Sequence, residues 1–239
     1  MRNEEEESDT VIIGNNETLP LILEELPDNI TDVYLAGLNT TADEQEELRR
    51  IAAGRNYELH YYTGNLHHEY VLLDLAQIAE HIVILSSHDR DPEEADMEVM
   101  FLLLNLRDLR KRYNLEFNIT VEMHKEHNQK LVGRGDHTDF LVSSSMSSLI
   151  LAQLAESPEL ISVFKEILSN EGNELYVKNA GRIHLTGEHT IRELRRICLQ
   201  QRYILIGYLD ADKNSWFNLP LDETVNLTEE DSLIVLGEN

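Results

Sequence analysis

One cysteine, Cys198, is all the thiol that 239 residues provide. An internal disulfide is therefore excluded, and the composition suits a reducing compartment. Long hydrophobic runs are missing too. The longest apolar stretch, Met100 to Leu106, falls far below the about 20 residues a membrane helix needs, and Arg107, Arg110, Lys111 and Arg112 follow it. The start shows no charged segment, apolar stretch and cleavage site in succession, which predicts a cytoplasmic chain with no direct membrane insertion. Positive charge is scarce: 20 basic residues face 45 acidic ones, a net −25. Such a surface repels phosphate backbones and anionic lipid, so nucleic acid is excluded as a partner. The run Glu4 to Glu7 reads as part of a solvated acidic tail over residues 1–9.

What is present is a regular alternation of strand and helix patterns. Strands are expected at Thr10–Ile13, Asp32–Leu35, Tyr57–Tyr62, His81–Leu85, Phe117–Val121 and Asp139–Val142. Helical spacing fills the intervals at Glu17–Leu26, Asp43–Ala53, Glu69–Ile78 and Asp91–Tyr113. Pro92 and the acidic residues behind it suit the first turn of the last of these. Strands separated by helices of this length imply an α/β fold: a Rossmann-like parallel sheet with helices on both faces. That domain spans residues 10–143. Two short helices, Ser144–Glu156 and Pro158–Ser169, cover a crossover region at 144–171. Residues 172–239 then read as a small α+β lobe, with strands at Glu174–Lys178, Tyr203–Tyr208, Ser215–Asn218 and Ser232–Leu236 around a helix at Thr190–Gln200.

Glycine is scarce where a dinucleotide would need it. The G-x-G-x-x-G loop brings backbone close to a pyrophosphate at a helix N-terminus. Here the first strand runs into Gly14, Asn15, Asn16, Glu17, Thr18 and Leu19, so one glycine of three remains and Glu17 repels phosphate. The second strand ends Leu35-Ala36-Gly37-Leu38 without the acidic residue that holds a ribose. Gly14 and Asn15 are thus a degenerate nucleotide loop, and NAD is not the expected ligand.

The stretch DFLVSSSMSSLILAQLAESPELISVFKEILSNEGNELYVKNA, Asp139 to Ala180, resembles the regulator-of-potassium-conductance (RCK, TrkA-type) domain, in particular that of the Castor/Pollux ion-channel family. It is similar to that family's D-(Y/F)-(V/I)-(L/V)-S strand, V-S-x-x-L-A-x-x-x-E helix and E-G-x-E-x-Y-(I/V)-(K/R) strand. Ile82 to Asp108 follows the family outline of an apolar strand, an acidic turn and an L-L-L-I-R-D helix, and EEDSLIVLGEN resembles its TrkA-C ending. The chain departs from the pattern at Glu230 and at Gly64-Asn65, and it carries neither pore helices nor a potassium filter.

The resemblance implies a cytosolic gating domain of a potassium or other cation channel, not an enzyme. Ligand binding in a cleft would move the lobes and open a pore carried by the same or another chain. It implies a homo-oligomer, from dimer to octameric ring, paired through the crossover helices. Met146, Leu149, Ile150, Leu151 and Leu154 are the candidate pairing face. Ligands of open α/β sheets bind at the carboxyl ends of strands. Those ends carry Ser86-Ser87-His88-Asp89 with Asp91, Glu93 and Glu94 behind, and Glu122 with His124. Oxygen ligands suit calcium, and calcium-gated relatives in the superfamily use acidic residues near this fifth strand end. Glu122, Asp89 and Asp91 are therefore the candidate metal ligands. The alternative for Asp91, Glu93 and Glu94 is complementing a helix dipole. Asp210-Ala211-Asp212-Lys213-Asn214 begins like a calcium loop but reads as a hairpin turn. Two other function classes stay open: a stand-alone regulatory subunit of a potassium transporter, and a nucleotide-binding oxidoreductase.

Overall fold

The computed structural model describes residues 8–132, 138–169 and 172–238. The chain forms two compact units that adjoin in sequence at Glu156 and Ser157. The first contains β1 (Ser8–Ile13), α1 (Leu19–Glu24), β2 (Ile30–Ala36), α2 (Ala42–Arg55), β3 (Glu58–Tyr62), α3 (Glu69–Ile78) and β4 (His81–Ile84). It continues with α4 (Pro92–Tyr113), β5 (Asn118–Met123), α5 (Glu126–Val132), β6 (Thr138–Val142) and α6 (Ser143–Glu156). The six strands pair in parallel in the order β3-β2-β1-β4-β5-β6. This is a Rossmann-like sheet, and its order reverses between β1 and β4, the crevice where such sheets bind ligands.

Side chains alternate across each strand, so each strand feeds both faces. Val11, Ile13, Ile82, Ile84, Ile119 and Val121 pack with Val71, Leu72 and Leu75 of α3 and Leu103 and Leu106 of α4. Ile12, Val33 and Leu35 pack on the opposite face with Leu19 and Leu23 of α1 and Leu48 and Ala52 of α2. Each fully buried leucine or isoleucine contributes about 1.5–3 kcal/mol relative to exposure.

Local chemistry sets the helix ends. Thr41 and Glu44 form a reciprocal capping box on α2. Asp91 caps α4 by accepting from the backbone N–H groups of Glu93 and Glu94 at 3.0 and 3.4 Å, and Pro92 supplies the preset φ of the first turn. The tail of α4 carries Arg110, Lys111 and Arg112 against its negative end and stops at Asn114, whose φ of 51° is left-handed.

Several boundaries differ from the sequence reading. β1 begins at Ser8, because Ser8 and Asp9 already pair with Ile30 and Asp32 of β2. α1 begins only at Leu19, because Asn16 Oδ1 accepts from Thr18 N and Thr18 Oγ1 and holds the preceding residues in a turn. α5 was not expected at all.

The second unit contains α7 (Leu160–Leu168), β7 (Glu174–Asn179), β8 (Gly187–Thr190), α8 (Ile191–Gln200), β9 (Ile204–Leu209), β10 (Ser215–Phe217), β11 (Thr224–Leu227) and β12 (Ser232–Gly237). It is an α+β unit. Its main sheet is antiparallel in the order β10-β9-β12-β7, and β8 pairs separately with β11. Ile191, Leu194 and Cys198 of α8 join Leu205, Leu233 and Val235 in its core. Burial pushes the Cys198 thiol up to about 11, so it packs as a small inert hydrophobe.

Candidate functional site at the strand ends

The first turn after β1 is shaped by backbone demands. Gly14 has φ +98°, and a Cβ there would lie 2.7 Å from the Leu85 carbonyl oxygen. Gly37 follows β2 with φ +70°, and a Cβ there would meet Leu66 Cδ1 at 2.6 Å. Both glycines are required by the fold itself. Between them opens a cleft of about 260 Å³ lined in part by Gly14, Asn15, Gly37, Asn39, Asp89 and Arg90. Arg90 is paired with Glu98 of α4, which also lines the cleft. With Asp89 and Glu98 both acidic and the arginine already engaged, the cleft is poorly matched to a pyrophosphate. NAD(H) is expected to bind no tighter than about millimolar, on the order of −4 kcal/mol. Isothermal calorimetry giving micromolar affinity would overturn that expectation.

Beside the cleft a polar relay ties three chain segments together. Glu122, on β5, is only 7% exposed. Its Oε2 accepts from Asn16 Nδ2 at 2.8 Å and from Ser86 N at 3.2 Å. Its Oε1 lies 3.2 Å from His88 Nε2, and His88 Nδ1 lies 2.7 Å from Glu17 Oε1. Asn16 Nδ2 also reaches the Ser86 carbonyl at 2.8 Å. The turn after β1, the segment after β4 and the end of β5 are therefore joined through one imidazole and one buried carboxylate.

Burial works against the charged imidazole of His88, but the hydrogen bonds and charges of Glu17 and Glu122 outweigh it and raise its pKa above 6.5. Glu17 is lowered in turn, first by its hydrogen bond with His88. The ring of His124 stands edge-on to His88 at 5.2 Å, with its Nε2 3.0 Å from the Ser87 carbonyl.

A second buried carboxylate lies nearby. Asp96 of α4 is fully buried; its Oδ1 accepts from His124 N at 2.8 Å. Its Oδ2 accepts from Lys125 N at 3.0 Å and Asn128 Nδ2 at 2.9 Å. This carboxylate organises the start of α5.

The metal candidates occupy three different settings. Glu122 sits in the relay, Asp89 lines the cleft, and Asp91 caps α4. Among the described residues, Glu122, Asp89 and Asp91 do not form a set whose ligand atoms lie within 4.8 Å of one another; Asp32, Glu58 and His60 do. Gly14 and Asn15 both line the cleft. Asn16, His88, Asp96 and Asn128 were not singled out by sequence reasoning. Asn16 and His88 fall inside stretches that it did inspect, and the signal was their position at adjacent strand ends.

Other expectations resolve simply. Asp210 accepts from Asn214 N at 2.8 Å and Trp216 Nε1 at 3.1 Å, which makes it the organiser of the β9–β10 hairpin. On α6, Leu149 and Leu151 are 62% and 66% exposed. No helix among the described residues is long and apolar enough to cross a membrane.

No protein-family profile matches the chain. Over 81 residues, 34% of its length, it is 31% identical to Ion channel CASTOR of Lotus japonicus, and the shared stretch covers 10% of that relative. The chain is thus distantly related to a part of an ion channel.

Proposed function

We propose that this chain is the cytosolic ligand-sensing gating domain of a cation channel of the potassium-conductance type, and not an enzyme. The observation that carries the reading is the 31% identity shared with an ion channel. The sheet supports it: the crevice at the switch point keeps its cleft but lacks the glycines and the acidic ribose partner of a dinucleotide site. The cleft's acidic lining favours a neutral or cationic polar ligand, calcium included, over a nucleotide polyphosphate. A ligand that alters the relay shifts three strand ends at once, because Glu122 and His88 join them.

The domain works as a homo-oligomer beside a pore carried by the same or another chain. The exposed leucines of α6 are the pairing surface in this reading, since an apolar helix face of this kind is costly to leave in water. The purified chain is expected to sediment as a dimer or larger. Leu149→Glu combined with Leu154→Glu places carboxylates in that contact and is expected to give a monomer. A wild-type monomer at tens of micromolar protein would remove the pairing surface. The test of the function itself is recording with the pore-bearing chain, whether it is encoded in the same reading frame or is a partner: a cation current whose open probability changes in Asp89→Asn while conductance does not. A current indifferent to the cleft would end the gating proposal.

A further inference from the structure

Away from the ligand crevice, the amino-terminal half of the sheet carries a row of like charges. The register pairs Asp9 of β1 with Asp32 of β2, and Asp32 with Glu58 of β3. Neighbouring strands are about 4.8 Å apart, so three carboxylates in register on one sheet face stand side by side. Like charges directly opposite across strands are destabilising. Nothing in the packing of the sheet requires carboxylates there, because the same face continues with Val11, Tyr34 and Tyr62 in the apolar layer.

Two residues further along the strands, and so on the same face, Tyr34 is in register with His60. The two rings stack at 4.7 Å with 19° between planes, which fixes the orientation of the imidazole. His60 Nε2 then points back to Asp32 Oδ1 at 2.6 Å. Asp32, Glu58 and His60 each bring one ligand atom within 4.8 Å of the other two. Two carboxylate oxygens and one imidazole nitrogen, set by strand register on an edge of the sheet, differ from a loose acidic surface. The nitrogen donor is held in place by a ring stack, and the side chains of His60 and Asp32 are only 34% and 32% exposed.

We propose that Asp32, Glu58 and His60 form a binding site for one divalent cation of the zinc class on the β2–β3 edge of the sheet. Mixed nitrogen and oxygen donors are the set that zinc accepts, whereas calcium and magnesium prefer oxygen alone. Three protein ligands leave a position open to solvent or to a further group. The cation takes the place between His60 Nε2 and Asp32 Oδ1, and it offsets the repulsion along the Asp9–Asp32–Glu58 row. The site is independent of the gating proposal, since it rests on the opposite ends of the strands from the cleft.

The test is a zinc titration of the full chain, stripped with chelator and followed through a competing chromophoric chelator, in excess magnesium and high sodium chloride. One zinc per chain is expected. His60→Ala and Glu58→Gln are each expected to weaken it by about tenfold or more, the lower end of the cost of losing even an outer partner of a bound metal. Glu47→Gln, an exposed acidic position on α2 outside the cluster, should leave the affinity unchanged. Glu58 is itself exposed, so its variant preserves the fold if the histidine variant does not. Unchanged zinc affinity in both cluster variants overturns the site. Binding without saturation, or binding shared equally with magnesium, overturns it as well.

Discussion

Asp96→Ala is expected to cost roughly 3 kcal/mol of unfolding free energy in the first unit, read from the urea midpoint at unchanged slope. Asp96 is fully buried on α4, and its two oxygens accept from three donors. Two of these are the backbone N–H groups of His124 and Lys125, which lie just ahead of α5 and have no helical carbonyl available at that end. Alanine leaves them without that acceptor, and an unsatisfied buried donor costs about 1–3 kcal/mol. Asparagine is nearly isosteric but should not rescue, because its amide N–H₂ would confront one of the same donors. Serine or glutamate changes the reach and should also fail. A loss below about 1 kcal/mol in Asp96→Ala would mean that water substitutes for the carboxylate. In that case α5 is not organised from α4.

The same residue shows where sequence reasoning stops. Within Pro92-Glu93-Glu94-Ala95-Asp96, every carboxylate reads as a complement to a helix N-terminus. Asp91 does cap the helix, but Asp96 turns inward, and only the tertiary position of the His124–Asn128 segment decides that. α5 itself, EHNQKLV, is short and polar and has no periodic apolar face to announce it. β8 and β11, four residues each, are strands chiefly because each pairs with the other. By contrast the parallel sheet was legible, since its strands are apolar runs and helices separate them. The broken glycine loop was legible too. The partners of Glu17 and Glu122 were not: they face one another only once β1, β4 and β5 are ordered, and residues 16, 88 and 122 are remote in the chain. The row Asp9, Asp32 and Glu58 was hidden for the same reason, because register is not written in any local spacing.

Glu122→Leu is expected to destabilise the first unit by roughly 2–3 kcal/mol, and to change how its stability responds to pH. Leucine fills the volume but leaves the Ser86 N–H without its carboxylate acceptor; Asn16 Nδ2 keeps the Ser86 carbonyl. The pH effect follows from His88. Its folded pKa is raised above 6.5, so the folded state holds the proton more tightly than the unfolded chain does. The stabilisation this supplies is complete below about 6.5 and disappears as pH rises through the raised folded value. Glu17 acts in the opposite sense. Its pKa is lowered, so its share is present above 4.5 and lost as pH falls through the folded value. Glu17 is solvent-exposed and its share is small. The wild-type unit is therefore expected to lose stability as pH rises above about 6.5 and through the raised folded value, and His88→Gln should flatten that slope. Glu122→Gln keeps the shape and removes the charge, so it should lower the His88 midpoint in an NMR titration of the imidazole while retaining most of the fold. An unchanged midpoint in Glu122→Gln would mean that Glu17 alone holds the proton. The three strand ends would then be tied by packing, and a ligand in the cleft would have no charged relay through which to act.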